Sequence, residues 1–519
     1  MVSGPSAGAA ANPKQVSIDI LPRTSAPTLI GAQESTEPST SSTHSILVMI
    51  SPANNEARKS ALRALVALIS NAVEDSIIAY EQEGRPIPSL DDISDADADT
   101  LGSLGLHHAV RTLTGACTQL CDTLTPTPHV VFSKVLEPLE TSCLRVAVEA
   151  QIPDALMGHS EGVPISKLAA KVGIEQGKLA RVLRCLSVLH TFREVTPNVF
   201  ANNRTSHALR TSSRLSSVVS LWGDEFPKYG YNWLYDALVD HEYGPSYSSS
   251  KSAFGYGVKK DTGRDNVGMF DWNETYPESR ARFNRAMTST RYGDVYDHYP
   301  IADLPTGATW CDVGGGVGSV LMRIAAAHPH LHLTLQDQPS VIEQAKTYWK
   351  ENAGEALKRG QIAFVPINFL IRTPVARQDV YYMRHIIHDW PDADCISILK
   401  NIRTVMHPHS RVLIRERPHR NVKTSGLIDF ASDDYILADP GQKGGGAPTP
   451  LLPNYGAGVK RAYLQDINML TLLNAKERTL EEFARLGEQA GLEVVKVWDC
   501  IESGIVEMRL ASNAGGVKS

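Results

Sequence analysis

The chain reads as an α/β protein: a doubly wound, mostly parallel sheet in the carboxyl half, preceded by a mainly helical amino half that contains a winged helix. Three observations predict this. From residue 301 onward, short apolar runs rich in β-branched residues alternate with stretches of helical spacing. Further upstream, apolar residues recur at helical intervals, as in Leu62, Leu65, Val66, Ile69, Val73, Ile77 and Tyr80. Between the two, 163–203 shows helix, helix and hairpin in succession.

In chain order, residues 1–45 form a tail. Fourteen of them are Ser or Thr and the first aromatic ring in the chain is Tyr80, so the segment has too little apolar surface to offset its ordering entropy. It is expected to be disordered, and it lacks the pattern of a secretory signal. A second region spans 46–300. It opens with an amphipathic helix over 55–83, followed by an acidic linker at 84–100 and helical patterning over 101–124 and 128–150. The helix 164–172, with Ser166 as its cap, turns at Gly173 into a second helix over 176–189 and a hairpin at Pro197-Asn198. Lys178, Arg181 and Arg184 on that second helix could touch phosphates. The net charge of −6 argues instead for a structural or dimer-forming role and against nucleic-acid binding. Residues 222–300 gather nearly half of the aromatics, enough to line a pocket for a flat apolar molecule.

The third region is 301–512. Strands are expected at 308–313, 331–336, 362–367, 379–384, 411–416, 492–498 and 504–510, with helices between them. Thr479 and Glu482 form a capping box opening the helix 479–490. The Gly/Pro-rich segment 439–458 reads as a mobile insertion with no assigned role. Seven cysteines without a C-x-x-C pair point to reduced thiols in a cytoplasmic protein. No stretch of about 20 apolar residues exists, which excludes a membrane span of the helical kind. No cluster of acids suggests a metal.

The chemistry begins at DVGGGVGS, Asp312 to Ser319, between a strand and a helix. Gly314 and Gly316 let the backbone turn tightly and approach a ligand, and Asp337 ends the next strand at the spacing of a ribose-binding acid. Two cofactor classes fit that geometry. A dinucleotide site prefers G-x-G-x-x-G facing a pyrophosphate. Here the spacing is G-x-G-x-G after an acid, Asp312, which suits a cationic ligand without phosphate, such as S-adenosylmethionine (SAM).

Further along stand QDQP (336–339), HDWPD (388–392) and NAKERTLEEF (474–483). With DVGGGVGS, their order and spacing resemble the plant-type, caffeate-like (class II) SAM-dependent small-molecule O-methyltransferases, most closely the fungal members, over about residues 130–512. The resemblance implies a Rossmann-like SAM-dependent methyltransferase sheet, a winged-helix dimerisation domain that builds a homodimer, and helices of the 46–300 region forming pocket walls. It implies transfer of a methyl group to a phenolic hydroxyl of a small aromatic, a polyketide-type secondary metabolite or a lignin-like phenol. His388 then stands in the place of the general base, flanked by Glu416 and Glu477. Chemistry makes the same demand: a phenol with a pKa near 10 is only about 0.1% ionised at pH 7, and a positioned imidazole that takes its proton contributes ~10²–10⁴-fold. His385, where plant members tend to have tryptophan, is read as pocket or adenine packing.

Matching positions assigns the cofactor to Asp312, Gly314, Gly316, Asp337, Asn368, Phe369 and Arg384. Asn368-Phe369 departs from the family's acid at that place, and Arg384 replaces a frequent lysine. Met287 and Met469 match positions that pack on the acceptor ring, with Phe270 and Trp272 as further candidates. Competing readings are a SAM-binding relative with another modification chemistry, a NAD-dependent oxidoreductase, and a DNA-binding regulator.

Overall fold

The computed structural model describes residues 52–93, 102–287, 295–416, 447–452, 454–500 and 503–511. The tail 1–45 and the first half of the 439–458 insertion lie outside these. Three long helices come first, α1 (Pro52–Gln82), α2 (Leu104–Leu124) and α3 (Thr127–Glu149). Ser103 caps α2 through Leu106 N–H. The 84–93 part of the acidic linker is tied down, with Leu90 O accepting from Arg204 N–H.

The helix–helix–hairpin order follows. Strand β1 (Val163–Pro164) leads into the helices Ile165–Val172 and Gln176–Val188, and β2 (Arg193–Thr196) and β3 (Val199–Ala201) complete an antiparallel sheet of order β1-β3-β2. The first helix starts one residue before Ser166, capped by Pro164, so Ser166 is helical and not the cap. On the second helix Arg184 is engaged within the unit, donating to Glu194 and Asn198. Leu168, Leu179, Leu183, Leu186 and Phe200 close its core.

The carboxyl half is a seven-stranded sheet of order β6-β5-β4-β7-β8-β10-β9, formed by β4 (Thr309–Val313), β5 (His332–Asp337), β6 (Ile362–Pro366), β7 (Val380–Arg384), β8 (Arg411–Glu416), β9 (Leu492–Asp499) and β10 (Gly504–Leu510). The first five are parallel and only β10 runs against its neighbours. Side chains alternate between two buried faces: Trp310, Tyr382 and Leu413 enter one core, Cys311, Tyr381, Met383, Val412 and Ile414 the other. This is why the strands read as continuous apolar runs. The chain builds outward from β4 through β5 and β6, then crosses back to place β7 on β4's other side. The crevice between β4 and β7, at their carboxyl ends, is the topological switch point where such sheets bind ligands. Among the described residues, no helix is long and apolar enough to cross a membrane.

The expectation of a passive, mobile insertion at 439–458 is corrected for its described part, 447–452 and 454–458. Leu451 and Tyr455 are buried with Leu65 of α1 and Ala116 of α2. Gln119 donates to Pro450 O at 3.0 Å, and the Arg111 guanidinium lies 3.9 Å from the Tyr455 ring centroid. Gly/Pro composition suggested a loop, but two apolar side chains give it a docking face. Close approach makes the contact testable. A Cβ on Gly115 would stand 2.5 Å from Tyr455 O. Gly115→Ala gains ~1 kcal/mol of helix propensity against ~1–3 kcal/mol of overpacking. We expect a net loss of thermal stability and faster protease nicking near 447–458; a stabilised variant would show that the segment does not dock there.

Candidate active site

The site is assembled from the carboxyl ends of the parallel strands. After β4 the chain enters the glycine loop. Gly314 and Gly316 have φ of 78° and 60°, a region open to glycine. A Cβ on Gly314 would lie 2.5 Å from Ile386 Cδ1, and one on Gly315 2.6 Å from Asp312 Oδ2. Asp312, 2% exposed, therefore sits beneath the loop. Gly316 borders open space, and its N–H donates to Asp337 Oδ2 at 2.8 Å. The other oxygen of Asp337 accepts Gln338 N–H at 2.7 Å. Burial raises the Asp337 carboxyl, and these two donors pull it back. Each oxygen retains a lone pair for a hydroxyl.

Asn368 and Phe369 follow β6. Asn368 Oδ1 accepts Leu370 N–H at 3.1 Å, so the oxygen expected to meet a ligand also holds its own turn. Phe369 meets the Trp390 ring edge-on at 6.0 Å. Arg384 ends β7 and is half-buried.

The turn after β7 carries His388. His385 opens it with φ 55°, which is uncommon for a residue with a side chain. Three successive N–H groups, of Ile386, Ile387 and His388, then point at Glu416 Oε1 at 3.1, 3.0 and 3.4 Å. Glu416 ends the neighbouring strand β8. His388 Nδ1 lies 2.8 Å from Glu477 Oε1 and 3.4 Å from Glu416 Oε2. All three side chains are buried. Burial alone would lower the imidazole, but Glu416, Glu477 and Asp389 raise it to about 10. Burial also raises Glu416, against the pull of His388. His388 Nδ1 thus faces two carboxylates, while Nε2 lies 3.4 Å from a third, Asp389 Oδ1.

Glu477 reaches this place because two anchors hold its segment. Its N–H donates to Asp466 on the helix Lys460–Leu473, at 2.9 Å. Arg478, 1% exposed, donates to Ile387 O and Trp390 O, both at 2.7 Å, and to Asp392 Oδ1 at 2.8 Å. The expected capping box of Thr479 with Glu482 then starts the helix Leu480–Ala490. Sequence reasoning missed Arg478, although it stands inside the quoted KERT motif. An arginine beside a site acid looks like a surface residue until its carbonyl partners are known.

The substrate candidates separate. Phe270 stacks on Trp390, two residues past His388, with centroids 5.9 Å apart and planes at 25°. Met287 ends the helix Pro277–Met287 and is 39% exposed. Met469 and Trp272 are 5% and 6% exposed within one apolar cluster. Trp272 packs on Tyr229 and Tyr276, at 4.7 and 4.1 Å, within that cluster. The same region hides a buried polar pair that the sequence did not suggest, Tyr231 donating to Asn468 Oδ1 at 2.7 Å. As for metal, His385, His388 and Glu416 each bring a ligand atom within 4.8 Å of the others. Arg415 Nη1 lies 3.1 Å from Nε2 of that His385 ring.

Comparison with known proteins completes the picture. A model of an O-methyltransferase domain matches residues 241–439, and one of an O-methyltransferase dimerisation domain matches 138–212. The chain is 40% identical to "3-O-methyltransferase 2" of Phanerochaete chrysosporium, over 86% of this chain and 97% of that one. It is 30% identical to "O-methyltransferase gedA" of Aspergillus terreus, over 83% and 93%. Among solved structures, the mitomycin 7-O-methyltransferase MmcR aligns with a TM-score of 0.58 at 25% identity, over 74% of this chain and 98% of that one. LepI, solved in complex with SAM, shares the fold with a TM-score of 0.62 at 20% identity, over 78% and 94%. Glycine loop, switch-point crevice and relatives agree, and the chain belongs to the O-methyltransferase family, as a SAM-dependent O-methyltransferase most similar to fungal members.

Proposed function

We propose that the methyl acceptor is a phenolic hydroxyl of a small aromatic molecule, of the secondary-metabolite or lignin-like kind, and that His388 is the general base. The observation that carries this reading is a single one: a buried imidazole with Nδ1 on Glu477, Glu416 behind it, at the mouth of the β4–β7 crevice. Asp312, Gly314, Gly316, Asp337, Asn368, Phe369 and Arg384 would hold the cofactor. Open space over Gly316 with Asp337 at its rim suits a ribose. When bound, SAM supplies an electrophilic methyl group on a positively charged sulfur. His388 Nε2 takes the hydroxyl proton, so that the oxygen carries the charge that makes it a nucleophile. Glu477 and Glu416 stabilise the imidazolium that results. Phe270 and Trp390, with Met287 and Met469, offer apolar surface to a flat ring.

Homodimer formation is part of this reading. Val131, Phe132, Val135, Leu136 and Leu139 expose one apolar face along α3, next to the matched dimerisation domain. Methyl transfer from labelled SAM to a panel of phenols and hydroxylated aromatics tests the acceptor class. Transfer confined to carboxylates or amines would overturn it.

A pH dependence follows from the site's charge. The carboxylates hold His388 well above the ordinary imidazole range in the free enzyme, and a base must be neutral to accept a proton. We expect kcat/KM to climb with pH from 6 to 9, read with an acceptor that does not itself titrate there. A profile that falls across that interval would contradict His388 as base.

A further inference from the structure

His385 has a place in this site that neither pocket wall nor adenine packing describes. Its Nε2 lies 3.1 Å from Arg415 Nη1. A guanidinium can only donate, so Nε2 offers its lone pair, the ring is neutral and the proton sits on Nδ1. That Nδ1 faces Glu416 Oε2 at 3.7 Å. Glu416 is 1% exposed; its Oε1 takes the three turn N–H groups, while Oε2 accepts no hydrogen bond among the described residues. The imidazoles of His385 and His388 lie 5.1 Å apart at 25°, flanking this oxygen from two sides. Such an arrangement is maintained against the backbone, since glycine or asparagine would suit φ 55° better.

We propose that His385, fixed by Arg415, is a positioning residue that turns its Nδ1–H onto Glu416 Oε2 and stabilises the ionised carboxylate behind His388. The consequence is a division of labour. Glu477 keeps the direct bond to His388 Nδ1, and Glu416 keeps its charge without competing for that proton. The groups facing Glu416 are His385, His388 and Asp389 from the turn, Glu477 from the segment before Leu480–Ala490, and Cys395 of the helix Asp392–Val405. The active state has a neutral His388 and ionised Glu416 and Glu477. A donor on Glu416 favours that state, so removing it makes the whole cluster hold its last proton more tightly.

The proposal rests on His388 as base, and the test separates the two. Compare His385→Gly, which relaxes the backbone and removes the donor, with His385→Asn, which tolerates the same backbone and places an amide N–H near the Nδ1 position. Use the full chain and the best acceptor found, and measure SAM affinity by calorimetry. The glycine variant should lose about tenfold in kcat at pH 7, and its acid limb should move up by about one pH unit. The asparagine variant should restore most of both, and SAM affinity should stay within about twofold in each. An unmoved acid limb in His385→Gly, equal displacement in both variants, or a parallel loss of SAM affinity overturns the proposal while leaving the base intact. Turnover retained by His388→Ala under the same conditions overturns the base, and with it the role of His385.

Discussion

His388→Ala is expected to lower kcat for methyl transfer by ~10²–10⁴-fold while SAM still binds with near-native affinity. The first half follows from chemistry: without a base, the small ionised fraction of a phenol must carry the reaction. The second half follows from geometry. His388 sits on the turn after β7, and Gly316 and Asp337 lie on the far side of the crevice after β4 and β5. The side chain leaves its backbone N–H on Glu416 whether or not the ring is there. Glu477 then faces Glu416 without a cation between them, so a modest loss of stability at neutral pH should accompany the variant. Calorimetric titration with SAM beside single-turnover kinetics reads both. Turnover within tenfold of wild type would remove His388 from the base's role.

Arg478→Met is expected to be the most destabilising single change at the site, at about 2–4 kcal/mol. The guanidinium is fully buried and is shared between two carbonyl oxygens of the His388 turn and the Asp392 carboxylate. Methionine can fill much of the volume but donates nothing. Ile387 O and Trp390 O would be left buried with fewer partners, and Asp392, half-exposed, would keep Lys476 at 3.5 Å. Because the same arginine links the turn to the Glu477 segment, activity should fall even in the fraction that folds. Denaturant unfolding reads the first effect and kcat per folded molecule the second. A variant as stable as wild type would mean that the segment is held by Asp466 and the capping box alone.

How much of this was legible beforehand can be judged from particular residues. The strands were legible because both sheet faces are buried, which forces continuous apolar runs such as VYYMR and RVLIRE. The glycine loop was legible because positive φ demands glycine, and the capping box because its two residues satisfy each other's N–H groups. His388, Glu416 and Glu477 were placed by family motifs, and the structure brings the three together from positions up to 89 residues apart. Trp272 and Met469 share one buried apolar cluster, and an aromatic or thioether side chain signals burial equally well in a core and at a ligand. Arg415 and Arg478 went unremarked, and His385 was read as pocket or adenine packing, for a shared reason: what a cation or an imidazole does depends on partners across the sheet, and no local pattern encodes them. The 447–458 segment shows the same limit in backbone form, since Leu451 and Tyr455 dock on a helix more than 300 residues earlier.

That last contact bears on how the protein is made. Gln119 and Pro450 are separated by 331 positions. At about 5–20 residues per second on the ribosome, α2 emerges roughly 15–65 s before the segment that covers it. Through that interval Leu65 and Ala116 lack Leu451 and Tyr455 as neighbours. The nascent amino half therefore passes through translation with a sticky surface that only the last seventh of the chain can close, which makes it a natural client for holding chaperones.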